Sequence, residues 1–244
     1  MKVSLKDKVV AITGAGGGIG RATCQALAKE GAKIAILGGN NLENINATID
    51  SIKEYGVDTY VLPGNLTNMD FLEDCLDKIA KNFGNIDILI NNAGIAINAP
   101  FEETQIEDFD RIMNINVKVP FVLCQKALPY LRKSNHATII NIGSVVAHKG
   151  YVNQAVYTAS KHAMLGFSKS LANEVYTENI RVHTICPGGV FTDMVRVTRP
   201  DLTGEDMIMP EEIADIIVFL LTRRGNAVID DICVHRAGKQ PFDV

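Results

Sequence analysis

Seven short apolar runs, separated by helix-length stretches, constrain this chain most. They are Lys8–Thr13, Ala32–Leu37, Thr59–Leu62, Ile86–Ile90, Thr138–Ile142, Arg181–Ile185 and Asp231–His235. Runs that stay apolar, without in-out alternation, belong in a sheet covered on both faces. Helical patterns lie between them, over Ile19–Glu30, Leu42–Tyr55, Met69–Phe83, Ile106–Arg132, Ala155–Tyr176 and Glu211–Thr222. Parallel strands need long right-handed crossovers, and these stretches supply them. The pattern predicts an α/β fold: a single Rossmann-like, doubly wound domain over residues 1–244, with about seven parallel strands and helices on both faces. Residues up to about 140 would form a cofactor half, and the remainder would carry catalytic and substrate elements. The one long irregular stretch, Pro187–Pro210, has the length of a functional lid.

Charge and cysteine usage exclude several classes of partner. The net charge of −4 gives no general attraction to nucleic acid or to an anionic membrane. No run reaches the apolar length of a spanning helix, and Met1–Lys8 lacks the apolar core of a signal peptide. Cys24, Cys75, Cys124, Cys186 and Cys233 are scattered and odd in number. Neither they nor His136, His148, His162, His183 and His235 show disulfide or metal spacing along the chain. A cytoplasmic protein with reduced thiols and no bound metal is expected.

Two local patterns carry chemistry. Thr13-Gly14-Ala15-Gly16-Gly17-Gly18-Ile19-Gly20 joins the first strand to the first helix. Glycines there let the backbone approach a phosphate, and the helix N-terminus offers oriented N–H groups. The spacing is Gly-x-x-x-Gly-x-Gly, not G-x-G-x-x-G. The second pattern is Tyr157 with Lys161, four apart on one helix face, and Ser144 thirteen residues before the tyrosine. A nearby ammonium favours the phenolate, so Lys161 is expected to lower the phenol pKa and make Tyr157 a proton donor and acceptor. Ser144, at a strand end, could orient the same substrate oxygen. The alternatives are a plain turn, a core tyrosine, a solvated lysine and a capping serine.

Taken in order, Thr13-Gly14…Gly18-Ile19-Gly20, Asn91-Asn92-Ala93-Gly94, Asn116, Ser144, Tyr157-x-x-x-Lys161 and Pro187-Gly188…Thr192 resemble the short-chain dehydrogenase/reductases. Among these the chain looks most like bacterial 3-oxoacyl-acyl-carrier-protein reductases and related ketone reductases. The resemblance implies hydride transfer between a nicotinamide cofactor and a ketone or secondary alcohol. It makes Asn116, Ser144, Tyr157 and Lys161 the catalytic set, with Tyr157 as acid and base. It has Lys161 also bond the nicotinamide ribose, and Asn116 hold a proton-relay water. For Asn116 a helix kink or packing role is the alternative. The cofactor contacts it implies are Gly14, Gly17, Gly18, Ile19, Gly38, Gly39, Asn40, Asn65, Leu66, Asn92, Ala93, Gly94, Tyr157, Lys161, Pro187, Gly188, Val190 and Thr192. Of these, Asn92-Ala93-Gly94 would pass beneath the adenosine ribose, and Thr192 would bond the carboxamide. Ile95, Ala96, Val146, His148, Tyr151, Gly189 and Met194 would line the substrate pocket. The helices over Ile106–Arg132 and Ala155–Tyr176 match those that form a dimer interface, so a homodimer or homotetramer is expected.

Four departures bear on specificity. Leu37-Gly38-Gly39-Asn40-Asn41 offers neither the acid that binds an NAD ribose nor the arginine that accommodates an NADP phosphate. With no acid to repel a phosphate and Asn40 able to bond one, NADP(H) is favoured and NAD(H) stays open. Asn65 stands where the family has an aspartate facing adenine, and its amide oxygen can accept the same bond. Asn135 and Glu178 replace arginines that would face an acidic carrier protein, which removes that attraction. The last strand runs into His235-Arg236-Ala237-Gly238-Lys239 and lacks the usual closing Asp-Gly-Gly. A general ketone or alcohol substrate fits these changes, with 3-oxoacyl thioesters still open. A non-catalytic dinucleotide sensor or scaffold on the same fold is the alternative function.

Overall fold

The computed structural model describes residues 2–198 and 203–240, apart from the side chains of 194, 197 and 198. The strands are β1 (Val9–Thr13), β2 (Lys33–Leu37), β3 (Thr59–Leu62), β4 (Ile88–Asn91), β5 (Thr138–Ile142), β6 (Arg181–Pro187) and β7 (Asp231–Val234). They form one sheet in the order β3-β2-β1-β4-β5-β6-β7, every pair parallel. The chain builds outward from β1 to β3, then returns to the other side of β1 with β4. The crevice at that reversal is where open α/β sheets bind ligands.

The helices are α1 (Gly18–Lys29), α2 (Leu42–Ile52), α3 (Met69–Phe83), α4 (Ile106–Met113), α5 (Val119–Leu131), α6 (Ala155–Val175), α7 (Asp193–Thr198) and α8 (Pro210–Thr222). Their ends follow local chemistry. Asn41 caps α2 by accepting from the Asn44 N–H at 3.0 Å, and Asn68 caps α3 by accepting from Asp70 and Phe71. Gly84 ends α3 at φ 92°, where a side chain would be strained. Pro210 opens α8, and Glu212 accepts from the Met209 N–H at 2.6 Å.

Both sheet faces are covered, as the continuous apolar strands require. On one face Cys24, Leu27 and Ala28 of α1 pack with Ile213, Ile217 and Leu220 of α8 over Val10, Ile12 and Ile34. On the other, Leu72, Leu76 and Ile79 of α3 and Leu123, Ala127 and Leu131 of α5 cover Val9, Ala11, Leu89 and Ile139. Each fully buried leucine or isoleucine contributes about 1.5–3 kcal/mol. One polar chain crosses this apolar layer. Asn91 on β4 donates to Asn141 on β5 at 2.8 Å, and Asn141 donates to Ser168 on α6 at 2.7 Å.

The structure corrects the sequence reading in two places. The helix expected over Ile106–Arg132 is two helices joined by a π-helical turn, Asn114–Lys118. The Pro187–Pro210 lid carries α7 and a 3-10 turn at Gly204–Asp206, and residues 199–202 lie outside the described residues. Its base is tied by Phe191 N–H to Ile208 at 2.8 Å and Ile208 N–H to Gly189 at 3.1 Å. Among the described residues no helix is long and apolar enough to cross a membrane.

Candidate active site

Two adjoining cavities open at the C-terminal ends of the strands. The first, of about 270 Å³, lies over the glycine turn. Gly14, Gly17, Gly18, Ile19, Asn92, Ala93, Gly94, Tyr157, Lys161, Pro187, Gly188, Val190 and Thr192 all line it. Gly14 sits at φ 67°, and a Cβ there would meet Ala93 and Asn92 at 2.8 Å. A Cβ on Gly20 would lie 2.1 Å from the Gly14 carbonyl oxygen. The turn is thus closed by β4 and α1, with space left only on its open side. Asn92 holds it there, donating from Nδ2 to the carbonyls of Thr13 and Gly14 at 3.1 and 2.9 Å. Thr13 Oγ1 in turn accepts from the N–H groups of Asn92 and Ala93. The strand-end reading of this segment therefore holds, and Asn92, Ala93 and Gly94 line the same cavity. Arg21 and Thr48 also pin the turn, which no sequence pattern indicated: Arg21 Nη2 donates to the Gly16 carbonyl at 2.7 Å, and Thr48 Oγ1 to the Ala15 carbonyl at 2.8 Å.

Gly38, Gly39, Asn40, Asn65 and Leu66 do not line this cavity and form a separate group at the ends of β2 and β3. Gly39 and Gly64 pair through their backbones, and Leu66 packs where a Gly38 side chain would stand. The Asn65 amide oxygen already accepts from Thr67, from N–H at 3.0 Å and from Oγ1 at 2.9 Å. Accepting from adenine would require those bonds to give way.

The second cavity, of about 370 Å³, shares Ser144, Tyr157, Gly188 and Val195 with the first. Of the expected pocket residues, Ala96, Val146, Tyr151 and Gly189 line it, and Ile95 and His148 do not. The Met194 side chain is outside the described residues. His148 turns away, with Nε2 3.1 Å from Asp231. Cys186 lies beside that pair, its thiol pKa raised by burial and by Asp231. The absence of metal spacing along the chain did not foresee this gathering of His148, Cys186 and Asp231.

Ser144 follows β5, and its Oγ accepts from the Val146 N–H at 3.3 Å. Its hydroxyl also hydrogen-bonds with Tyr157, so the two side chains meet at the junction of the cavities. Lys161 is 4% exposed, donates to the Ile142 carbonyl at 2.8 Å, and holds Nζ 5.7 Å from the Tyr157 ring centroid. Burial pulls its pKa down to about 8. Burial also pushes the Tyr157 phenol upward, and only hydrogen bonding with Ser144 pulls it the other way. This corrects the expectation that Lys161 lowers the phenol. The ammonium lies over the ring and bonds a backbone carbonyl, so desolvation prevails.

Asn116 is fully buried within the π-helical turn. Its Oδ1 accepts from the Ile95 N–H at 2.9 Å, and its Nδ2 donates to the Ile95 carbonyl at 2.9 Å and to Ser160 Oγ at 3.0 Å. The amide clamps the segment after β4 to the helix bearing Tyr157 and Lys161. The kink and packing role is therefore real, and the side chain is fully engaged in it.

A parallel doubly wound sheet, a glycine turn at its switch point, and a serine, tyrosine and lysine beside it define a dinucleotide-binding oxidoreductase. The chain belongs to the short-chain dehydrogenase family, whose model matches residues 8–203. It is 35% identical over 239 residues to 3-oxoacyl-acyl-carrier-protein reductase FabG of Thermotoga maritima, covering 93% of this chain and 96% of that one. It is 36% identical over 220 residues to carbonyl reductase family member 4 of Xenopus laevis, covering 88% and 91%. The solved structure of a dehydrogenase/reductase from Sinorhizobium meliloti 1021 matches with a TM-score of 0.86 at 30% identity, covering 95% of each chain. The protein is an oxidoreductase of CH–OH and ketone groups, in a family that works with NAD(P)(H). The glycine cradle, which side chains would fill, fits such a dinucleotide.

Proposed function

We propose that the protein interconverts a ketone and a secondary alcohol at the junction of the two cavities. The observation that carries this is that Ser144 and Tyr157 line both cavities at once. A carbonyl there would face the nucleotide cavity on one side and the phenol on the other. The glycine turn and the Pro187–Thr192 segment would hold NAD(P)(H), which would supply or accept the hydride. Tyr157 gives its phenolic proton to the carbonyl oxygen in reduction and takes it back in oxidation. Its raised pKa keeps that proton in place at neutral pH. Ser144 donates to the same oxygen and stabilises charge that develops on it. Lys161, with its ammonium over the phenol ring, would bond the ribose, and Asn116 ties the segment after β4 to α6. Tyr157→Phe should abolish turnover while fluorescence titration still reports cofactor binding. Near-normal turnover in that variant would overturn the assignment.

NADP(H) is the proposed cofactor, with NAD(H) second, because no carboxylate closes the end of β2. A strong preference for NADH in kcat/KM would reverse this order. Free ketones are proposed ahead of carrier-bound thioesters. What supports this is that Glu178 pairs with Arg132 at 2.6 Å and Asn135 with Lys8 at 2.7 Å, which leaves little cationic surface for an acidic carrier. A cytoplasmic homodimer or homotetramer is proposed from the exposed Ile106, Phe109 and Phe121 on α4 and α5, and from the buried free thiols. A monomer in light scattering at micromolar concentration would refute the assembly.

A further inference from the structure

The segment after β7, which replaces the family's closing Asp-Gly-Gly, has no part in the chemistry above. It folds back over the substrate cavity. His235, Arg236, Lys239 and Gln240 all line that cavity, and among its described lining residues there is no carboxylate. The segment is anchored: the Gly188 N–H donates to the Val234 carbonyl at 2.8 Å, and the Lys239 N–H to the Arg236 carbonyl at 3.0 Å. The second bond closes a turn that brings Lys239 to the same wall as Arg236.

Arg236 is the informative member. Arg21, Arg132, Arg181, Arg196 and Arg224 each donate to at least one oxygen, and Arg111 and Arg223, which show no such bond, are exposed to water. Arg236, half-buried, donates among the described residues only to the Met207 thioether, at 3.4 Å. A thioether is a weak acceptor, and a guanidinium carries five donors in a planar fork. The stem is seated by packing. A Cβ on Gly189 would lie 2.9 Å from Met207 Cε and 3.7 Å from Arg236 Cδ, so the bare glycine leaves room for both. A half-buried guanidinium with no oxygen partner among the described residues, on a cavity wall that also carries Lys239, matches a planar oxyanion.

We propose that the substrate carries an oxyanion, a carboxylate or a phosphate, remote from its reacting carbonyl, and that Arg236 with Lys239 receives it. This rests on the reading of the site as a ketone and alcohol oxidoreductase. The oxyanion takes no part in hydride or proton transfer. It fixes which way round the substrate enters, with the carbonyl at Tyr157 and the charge at the β7 end. Neutral ketones of the same length would lack that anchor.

The test uses matched probes: acetoacetate, 4-oxopentanoate and 5-oxohexanoate, each against its methyl ester, and dihydroxyacetone phosphate against dihydroxyacetone. Within at least one pair the charged member should be preferred by about 10- to 100-fold in kcat/KM, the range of a charge-assisted hydrogen bond. The favoured pair tells carboxylate from phosphate. In Arg236→Gln the ratio within that pair should collapse towards one, chiefly through KM, whereas Arg236→Lys should keep part of it. Lys239→Gln and an ionic-strength series on the unaltered protein give the same reading without depending on the folding of Arg236→Gln. Tyr157-dependent turnover of neutral ketones with no charged preference would overturn the inference and leave the proposed function standing. So would a charged preference that survives Arg236→Gln. No Tyr157-dependent turnover of any ketone would overturn the proposed function, and the inference with it.

Discussion

Raising the pH from 7 to 9 should lower kcat/KM for ketone reduction about tenfold, and the group responsible should be Lys161, not Tyr157. Burial sets the lysine near pH 8, so the charged fraction falls from about nine tenths at pH 7 to about one tenth at pH 9. The phenol, pushed upward by burial, keeps its proton across that range. The assay is kcat/KM against pH from about 6 to about 10, repeated with Ser144→Ala. Ser144 is the group whose bond lowers the phenol pKa, so its removal would raise a limb that belonged to Tyr157 and leave a limb set by Lys161 in place. A profile flat to pH 10, or a limb that moves up in Ser144→Ala, would refute the reasoning. The same shift has a stability consequence. Between pH 8 and 10.5 the unfolded chain holds a proton on this lysine that the folded protein has released, so stability rises with pH across that window. The span corresponds to about 3 kcal/mol. Lys161→Met should therefore remove that slope and gain up to about 3 kcal/mol at pH 7, less the cost of leaving the Ile142 carbonyl unpaired, while turnover is lost.

Three further outcomes follow from local contacts. Gly20→Ala places a Cβ 2.1 Å from the Gly14 carbonyl oxygen, which forces the cofactor turn to move. It should cost about 1–3 kcal/mol by urea denaturation and weaken cofactor binding at least tenfold by fluorescence titration. Asn116→Ala strands the N–H and carbonyl of Ile95, so it should lower stability by about 2–4 kcal/mol and slow turnover without altering cofactor preference. His136 is buried with Nε2 2.9 Å from the Leu221 carbonyl, and burial pulls its pKa down to about 4. The unfolded chain takes up this proton first as pH falls from 6.5, so about 3 kcal/mol should be lost by pH 4, and urea midpoints in His136→Gln should lack that share.

The elements that the sequence made legible are those whose signal is local. A continuous apolar run states its burial on both faces, and Tyr157-x-x-x-Lys161 states its shared helix face. The π-helical turn at Asn114–Lys118 was hidden because an extra residue per turn leaves the amphipathic pattern intact on either side. The direction of the Tyr157 shift was hidden because spacing shows proximity and not desolvation. His148 was placed in the pocket by its neighbours in the chain, whereas its partner Asp231 is supplied by a strand far downstream. Arg236 was visible only as a missing motif. Its meaning comes from a cavity wall assembled from β4, β5, β6 and β7 ends, which no window of sequence contains.

The Asn91–Asn141–Ser168 chain has a consequence for assembly of the sheet. Asn91 and Asn141 are register partners in neighbouring strands. A slip of β4 against β5 by one residue would set Asn91 against Ile140 or Ile142 and break the amide pair in a dry layer. Each lost pairing costs about 1–3 kcal/mol. Apolar strands of similar composition can slide past one another with little change in burial. These two amides make one alignment distinct from its neighbours, so they act as an indexing notch that fixes Asn92 and Ser144, which follow these two strands, relative to each other.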